Sequence, residues 1–153
     1  MSVEIENVQA DNLLIRDMNF QSKEEVLESV GKNLFDRGYV RSTFSKGILG
    51  REEVYPTGLP VGKINVAIPH TDAEHVIKPA MVVVILDNPI EFHVMGDNEK
   101  TVKVDIMFVL ALKSPNSQLT TLQELMGLIQ DEDKLARIKS VKTVLELNEV
   151  LST

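Results

Sequence analysis

Three regimes of hydrophobic spacing follow one another along the chain: helical, then strand-like, then helical again. In "SKEEVLESVGKNLFDRG", Val26, Leu27, Val30, Leu34 and Phe35 recur at the spacing of one helical face. Ser22 and Glu25 have the spacing of a capping box, and Gly38 stands where a helix would stop. A shorter helix is predicted over Ser45 to Glu53, ending before Pro56-Thr57-Gly58, and "LLIRDM" (Leu13 to Met18) reads as a first strand. The middle regime contains "INVAI" (Ile64 to Ile68), "AMVVVIL" (Ala80 to Leu86), "IEFHV" (Ile90 to Val94) and "KVDIMFVLAL" (Lys103 to Leu112). These runs are rich in β-branched residues and bounded by turn signals at Asp87-Asn88-Pro89 and Gly96-Asp97-Asn98, so they read as strands in two hairpin-linked pairs. The stretch Ala80 to Leu86 is apolar at every position, as a strand covered by helices on each side would be. After a polar loop at Lys113 to Ser117, helical patterns return at Gln118 to Gln130, Asp133 to Ile138 and Val141 to Leu151. The order predicts an α/β fold, a single layered domain over residues 1–153 built on a mixed β-sheet.

Composition narrows the function classes. Acidic residues outnumber basic ones 23 to 16, and no basic stripe with interleaved aromatics occurs, which argues against nucleic acid as a partner. The chain has no cysteine, excluding a disulfide framework, a thiolate metal site and a cysteine nucleophile, and fitting a cytoplasmic protein. The acidic N-terminal stretch lacks the layout of a signal peptide. The longest apolar run, Ile106 to Leu112, falls far short of the ~20 residues of a membrane span, so no direct membrane insertion is expected.

The chemistry concentrates in "NVAIPHTDAEH", which holds two of the three histidines. Pro69 cannot donate to a sheet ladder and biases Ile68 toward an extended conformation, so the strand ends there. Thr71 and Glu74 have capping-box spacing, and Lys78-Pro79 limits the helix that follows to a turn or two. His70 is thereby placed at the carboxyl end of a strand before free helix N–H groups, a position that favours active sites and anions. Such a histidine could be a nucleophile, a general base, a metal ligand or a capping residue. Metal binding has weak support, because His70 and His75 are five apart and lack an evident third ligand. There is no G-x-S-x-G elbow, no Walker loop and no G-x-G-x-x-G, so hydrolase and nucleotide chemistry have none. A histidine that itself carries a phosphoryl group fits what remains.

"GLPVGKINVAIPHT", with a preceding helix that ends in Gly50-Arg51-Glu52 and the Thr57-Gly58-Leu59 turn, resembles the IIA components of the bacterial phosphoenolpyruvate-dependent sugar phosphotransferase system. The resemblance is to the fructose/mannitol class (type 2) and runs from about Leu13 to Leu151; "REEVYPTGL" and "PHTDAEH" look most like its galactitol-type branch. It implies a mixed β-sheet flanked by helices on both faces, a cytoplasmic phosphotransferase and no cofactor. His70 would accept a phosphoryl group from the carrier HPr and pass it to a cysteine of a IIB component, and through it to a membrane IIC. Arg51 matches the arginine beside the active histidine, whose planar, permanently charged fork suits a phosphoryl group. By itself Arg51 would read as a surface arginine paired with Glu52 or Glu53.

Mannitol-type members carry a second active-site histidine where this chain has Gln118, which can hydrogen-bond but cannot titrate. His75 is the other candidate for that role, and Thr71 and Glu52 are candidate supporting residues. His93 reads as a strand residue, and Met81, Met107 and Met126 as core. A regulatory module of the same fold, binding a transcription regulator or kinase, is the competing reading. A metal-dependent hydrolase using His70, His75 and a carboxylate is the weakest.

Overall fold

The run from Ala80 to Leu86 is apolar throughout because it lies between two layers of helices. The computed structural model describes the backbone of residues 3–5 and 8–152, and side chains from Asp11 to Ser152. Its elements are strands β1 (Val3–Ile5) and β2 (Val8–Ile15), helices α1 (Lys23–Asp36) and α2 (Phe44–Val54), and short strands β3 (Gly58–Leu59) and β4 (Val66–Ala67). Long strands β5 (Ala80–Val94) and β6 (Asp97–Ala111) follow, then helices α3 (Pro115–Leu128), α4 (Glu132–Ser140) and α5 (Val144–Leu151). The sheet is mixed: β5 pairs antiparallel with β6 and parallel with β2, while β4 runs parallel to β6.

Period-two alternation divides the core. Ala80, Val82 and Val84 with Met107, Val109 and Ala111 meet Val26, Leu27, Val30 and Leu34 of α1 and Phe44 and Ile48 of α2. The intervening Met81, Val83 and Ile85 with Ile106, Phe108 and Leu110 meet Leu125, Leu135, Ile138, Leu147 and Val150 of the C-terminal helices. Each large side chain fully buried this way contributes roughly 1.5–3 kcal/mol. The α/β sheet flanked by helices on both faces is therefore present as expected.

Several boundaries differ from the sequence reading. The strand expected at Leu13 to Met18 is β2, Val8–Ile15, and β1 precedes it; β2 is specified by pairing with Ala80–Val84 more than by its own apolar pattern, and Asp17 at φ 62° turns the chain out of the sheet. The expected strand Ile64 to Ile68 shrinks to Val66–Ala67, because the Asn65 side chain accepts from the N–H groups of Val61 and Gly62 in a loop of its own. The two strands expected at Ala80 to Leu86 and Ile90 to Val94 are one strand. Asp87, Asn88 and Pro89 form an exposed irregularity between the Ile85↔Ile106 and Ile90↔Val104 pairs, where a residue without an N–H is tolerated. There is thus one hairpin of long strands, β5–β6, rather than two.

The helix starts are set by side-chain caps. Ser22 accepts the Glu25 N–H at 3.2 Å, as the capping-box spacing predicts. Ser114 accepts the Ser117 N–H at 3.1 Å and is followed by Pro115, so α3 begins three residues before the expected Gln118. Thr143, not the region of Val141, caps α5. Met81 and Met107 are core residues, but Met126 is exposed on α3. Among the described residues no helix is long and apolar enough to cross a membrane.

Candidate active site

His70 stands where two parallel strands end. β4 closes at Ala67; the Ile68 N–H then donates to the Thr57 carbonyl (3.3 Å) and to Thr57 Oγ1 (3.2 Å). Pro69 contributes no N–H, but its carbonyl accepts from the Leu110 N–H at 2.9 Å, and His70 bridges Leu110 near the carboxyl end of β6. The expectation of a histidine at a strand's carboxyl end is met.

The imidazole is half-buried and its orientation is fixed. Nδ1 lies 2.9 Å from the Ile68 carbonyl oxygen, which can only accept, so Nδ1 carries the proton and Nε2 keeps the lone pair. Burial lowers the His70 pKa; the Ile68 hydrogen bond works against this, the Arg51 guanidinium adds to it and Asp72 opposes it. The lowered pKa favours the neutral ring, with its lone pair on Nε2.

The segment after His70 is not the capped helix that Thr71 and Glu74 suggest. Ala73–His75 form a single 3₁₀ turn entered from Asp72, with no side-chain cap. The chain is drawn out by contacts with the α1–α2 connection: Val40 bridges Val76, the Arg41 N–H donates to the His75 carbonyl, and the Ile77 and Lys78 N–H groups share the Tyr39 carbonyl. Helix N–H groups thus do not supply an anion site here. A cation whose charge reaches His70 is Arg51, in the last turn of α2. Its Nη1 lies 3.7 Å from Asp72 Oδ1 and its guanidinium lies over the Tyr55 ring, 5.3 Å from the centroid. Pairing with Glu52 or Glu53 is not what holds it.

Thr71 is buried, and its carbonyl accepts from Gln118 Nε2 at 2.8 Å, so Gln118 braces the loop that follows His70. His75 is engaged elsewhere: Nδ1 meets Thr43 Oγ1 at 2.7 Å, at the start of α2. A β-carbon on Gly47 would lie 3.0 Å from His75 Nε2 and 3.1 Å from Thr71 Oγ1, so this segment packs directly on the α2 backbone one turn before Arg51. His93, paired with Thr101 toward the opposite end of β5, lines a cleft with the start of α1 and takes no part.

Glu52 is turned inward, 3% exposed, on the buried face that also carries Phe44 and Ile48. Its Oε1 accepts from Thr57 Oγ1 at 2.7 Å and its Oε2 from the Thr57 N–H at 2.8 Å. Burial pushes its pKa up from 4.5 to about 7, against both Thr57 hydrogen bonds and the charge of Lys23. The folded state then holds a proton that the unfolded chain releases near pH 4.5. The stability this contributes is complete below that pH and is lost as pH rises to about 7. Wild type should lose about 2 to 3 kcal/mol relative to Glu52→Gln between pH 5 and 8, read by urea denaturation. A difference that is constant or widens with pH would remove this assignment.

The site thus brings together His70, Arg51, Thr71 and Gln118, with Asp72 and Thr57; sequence reasoning read Thr57 only as part of a turn and named neither as a site residue. The helical spacing of Phe44, Ile48 and Glu52 is the signal that could have placed Glu52 inside. Among the described residues no group of three or more His, Cys, Asp or Glu could hold a metal ion. A cleft of about 940 Å³ lined by Val61, Gly127, Gln130 and Asp131 among others lies at the α3–α4 connection and not at His70.

Residues 7–153 match the sequence family described as phosphoenolpyruvate-dependent sugar phosphotransferase system, EIIA 2. The chain is 30% identical over 123 residues to the galactitol-specific EIIA component of Escherichia coli K12, covering 80% of this chain and 81% of that one. It is 27% identical over 108 residues to the transcriptional regulator ManR of Bacillus subtilis, covering 71% of this chain and 15% of the regulator. The Escherichia coli mannitol IIA structure in complex with phosphorylated IIB superposes with a TM-score of 0.73 at 23% identity, over 91% of this chain and 93% of that one, a likeness of fold.

Proposed function

Because the chain belongs to the EIIA 2 family of the phosphoenolpyruvate-dependent sugar phosphotransferase system, we propose that it is the phosphohistidine carrier of a galactitol-like uptake system, with His70 Nε2 as the carrying atom. The observation that bears most on this is the Nδ1 hydrogen bond to the Ile68 carbonyl, which leaves the Nε2 lone pair free beside a guanidinium. In the forward step that lone pair attacks the phosphorus of phospho-HPr. The donor P–N bond breaks and its electron pair returns to the donor imidazole. In the second step a thiolate of a IIB component attacks the same phosphorus and the electron pair of the His70 P–N bond returns to Nε2. The absence of cysteine from this chain agrees with a thiol supplied by the partner. Arg51 stabilises the charge on the transferring group, and Gln118 holds the loop that carries the histidine. Val54 and Tyr55 after Arg51, and Leu119 beside Gln118, are exposed apolar groups suited to the rim of a protein-docking face. Residues 1–153 act as one IIA domain in the cytoplasm, reaching the membrane only through IIB and its IIC.

The test mixes the protein with enzyme I, HPr and labelled phosphoenolpyruvate. Label is expected on the wild type and absent from His70→Ala; label surviving in the variant would sink the assignment.

The match to ManR favours a second reading, a IIA-type module that binds a transcription regulator or kinase. Phosphoryl transfer onward to a cognate IIB separates the two, since a purely regulatory module would be labelled by HPr yet fail to discharge.

A further inference from the structure

Two groups on different elements must stay in register for the chemistry above: the His70 ring after β4, and the Arg51 guanidinium on α2. Besides the packing of Thr71 and His75 on Gly47, a buried hydrogen-bonded connection links those elements. Glu52, the residue after Arg51, grips both donors of Thr57, and Thr57 in turn accepts the Ile68 N–H with its carbonyl and its hydroxyl oxygen. The other side of Ile68 is the carbonyl that receives His70 Nδ1–H. We propose that Glu52 and Thr57 are positioning residues: their buried hydrogen-bond strut fixes the Ile68 backbone, and through it the Nδ1–H tautomer of His70 and its place relative to Arg51.

The physical reason lies in what Pro69 removes. The β3–β4 ladder pairs Gly58 with Ala67 and Leu59 with Val66, and the Ile68 N–H extends it by one more donor. Pro69 has no N–H, so the ladder ends at the residue whose carbonyl orients the histidine. Beyond it the next backbone anchor is the Leu110 N–H on the Pro69 carbonyl, which comes from β6 on the other side. Toward α2 the ordering falls to the Thr57 side chain, and its hydroxyl keeps one direction because its proton is committed to Glu52 Oε1. Both residues are nearly inaccessible, Glu52 3% and Thr57 4% exposed, so water does not substitute for a lost partner. A ring freed from the Ile68 carbonyl samples the Nε2–H tautomer, whose Nε2 is no nucleophile.

The inference rests on His70 as the phosphoryl acceptor, but half of its test needs no phosphoryl donor. The ¹⁵N shifts of the His70 ring report the tautomer in the free protein, and phosphoryl acceptance from HPr reports the consequence. At pH 8, where Glu52 is ionised, Thr57→Val, near in shape but without the hydroxyl, and Glu52→Gln, with one acceptor in place of two, are expected to give mixed tautomers. Acceptance should slow roughly 10- to 100-fold, as a misplaced nucleophile does. Thr57→Ser, which keeps the hydroxyl, should restore both readouts. A folded Thr57→Val or Glu52→Gln protein with the wild-type tautomer overturns the proposal, whatever its rate. If Thr57→Val does not fold, Glu52→Gln with wild-type ring shifts and wild-type rate overturns it equally. Should wild-type His70 prove not to be the acceptor, the carrier assignment fails while the tautomer shifts still decide the strut.

Discussion

Arg51→Ala is expected to slow phosphoryl acceptance by His70 about 100-fold, the usual cost of removing one positioned donor from a developing charge. Its effect on stability should be small. The Asp72 contact is 3.7 Å long and joins side chains that are 38% and 69% exposed, and such pairs contribute on the order of 0–1 kcal/mol. The cation–π contact with Tyr55 is likewise at the surface. Arg51→Lys keeps the charge and loses the fork, so it should fall between wild type and alanine. The variant carries a second signature. Burial is the main reason the His70 pKa is low, but the guanidinium contributes, so removing it moves the pKa upward. In wild type, acceptance should stay flat as pH falls through the ordinary histidine range near 6.5 and decline only below it. In Arg51→Ala the decline should begin at higher pH. Stopped-flow transfer from phospho-HPr measures both; an unchanged rate and profile would take Arg51 out of the mechanism.

Gly58→Ala should be the more damaging change to the fold. A β-carbon there would sit 2.6 Å from the His93 carbonyl oxygen, 2.8 Å from Val102 Cγ1 and 3.1 Å from Phe92 Cβ. Two of the three are at or next to backbone of the β5–β6 hairpin, which cannot swing aside as a surface side chain would. The cost is expected to be about 3 kcal/mol, roughly 10 °C in Tm for a chain of this size. The strain also reaches the site, because Thr57 precedes Gly58 and holds Ile68. A protein that survives the substitution should therefore show perturbed His70 ring shifts. Wild-type Tm in Gly58→Ala would mean that β3 does not lie as close to β5 as the pairing of Gly58 with Val94 requires.

How far the local pattern reaches can be seen element by element. The α1 cap and stop, the two-faced apolar run at Ala80 to Leu86 and the delivery of His70 by Pro69 are short-range consequences of propensity, spacing and a missing N–H, and the chain alone determined them. The Asp87-Asn88-Pro89 signal was local too, but a strand with a bulge and a strand with a turn look the same until β6 lies beside them. Capping-box spacing at Thr71 and Glu74 was equally genuine and lost to contacts with Tyr39, Val40 and Arg41, some thirty residues earlier. The family pattern marked Arg51 and His70 as a pair. What lies beneath them, Glu52 on Thr57 and Thr57 on Ile68, depends on which side of α2 faces the sheet. Sequence determined where His70 stands, because a histidine after a strand-ending proline is a matter of covalent structure. Tertiary structure decided that His75 binds Thr43, that Gln118 braces Thr71 and that Nε2 is the free nitrogen, because each depends on an acceptor or donor brought from a distant element.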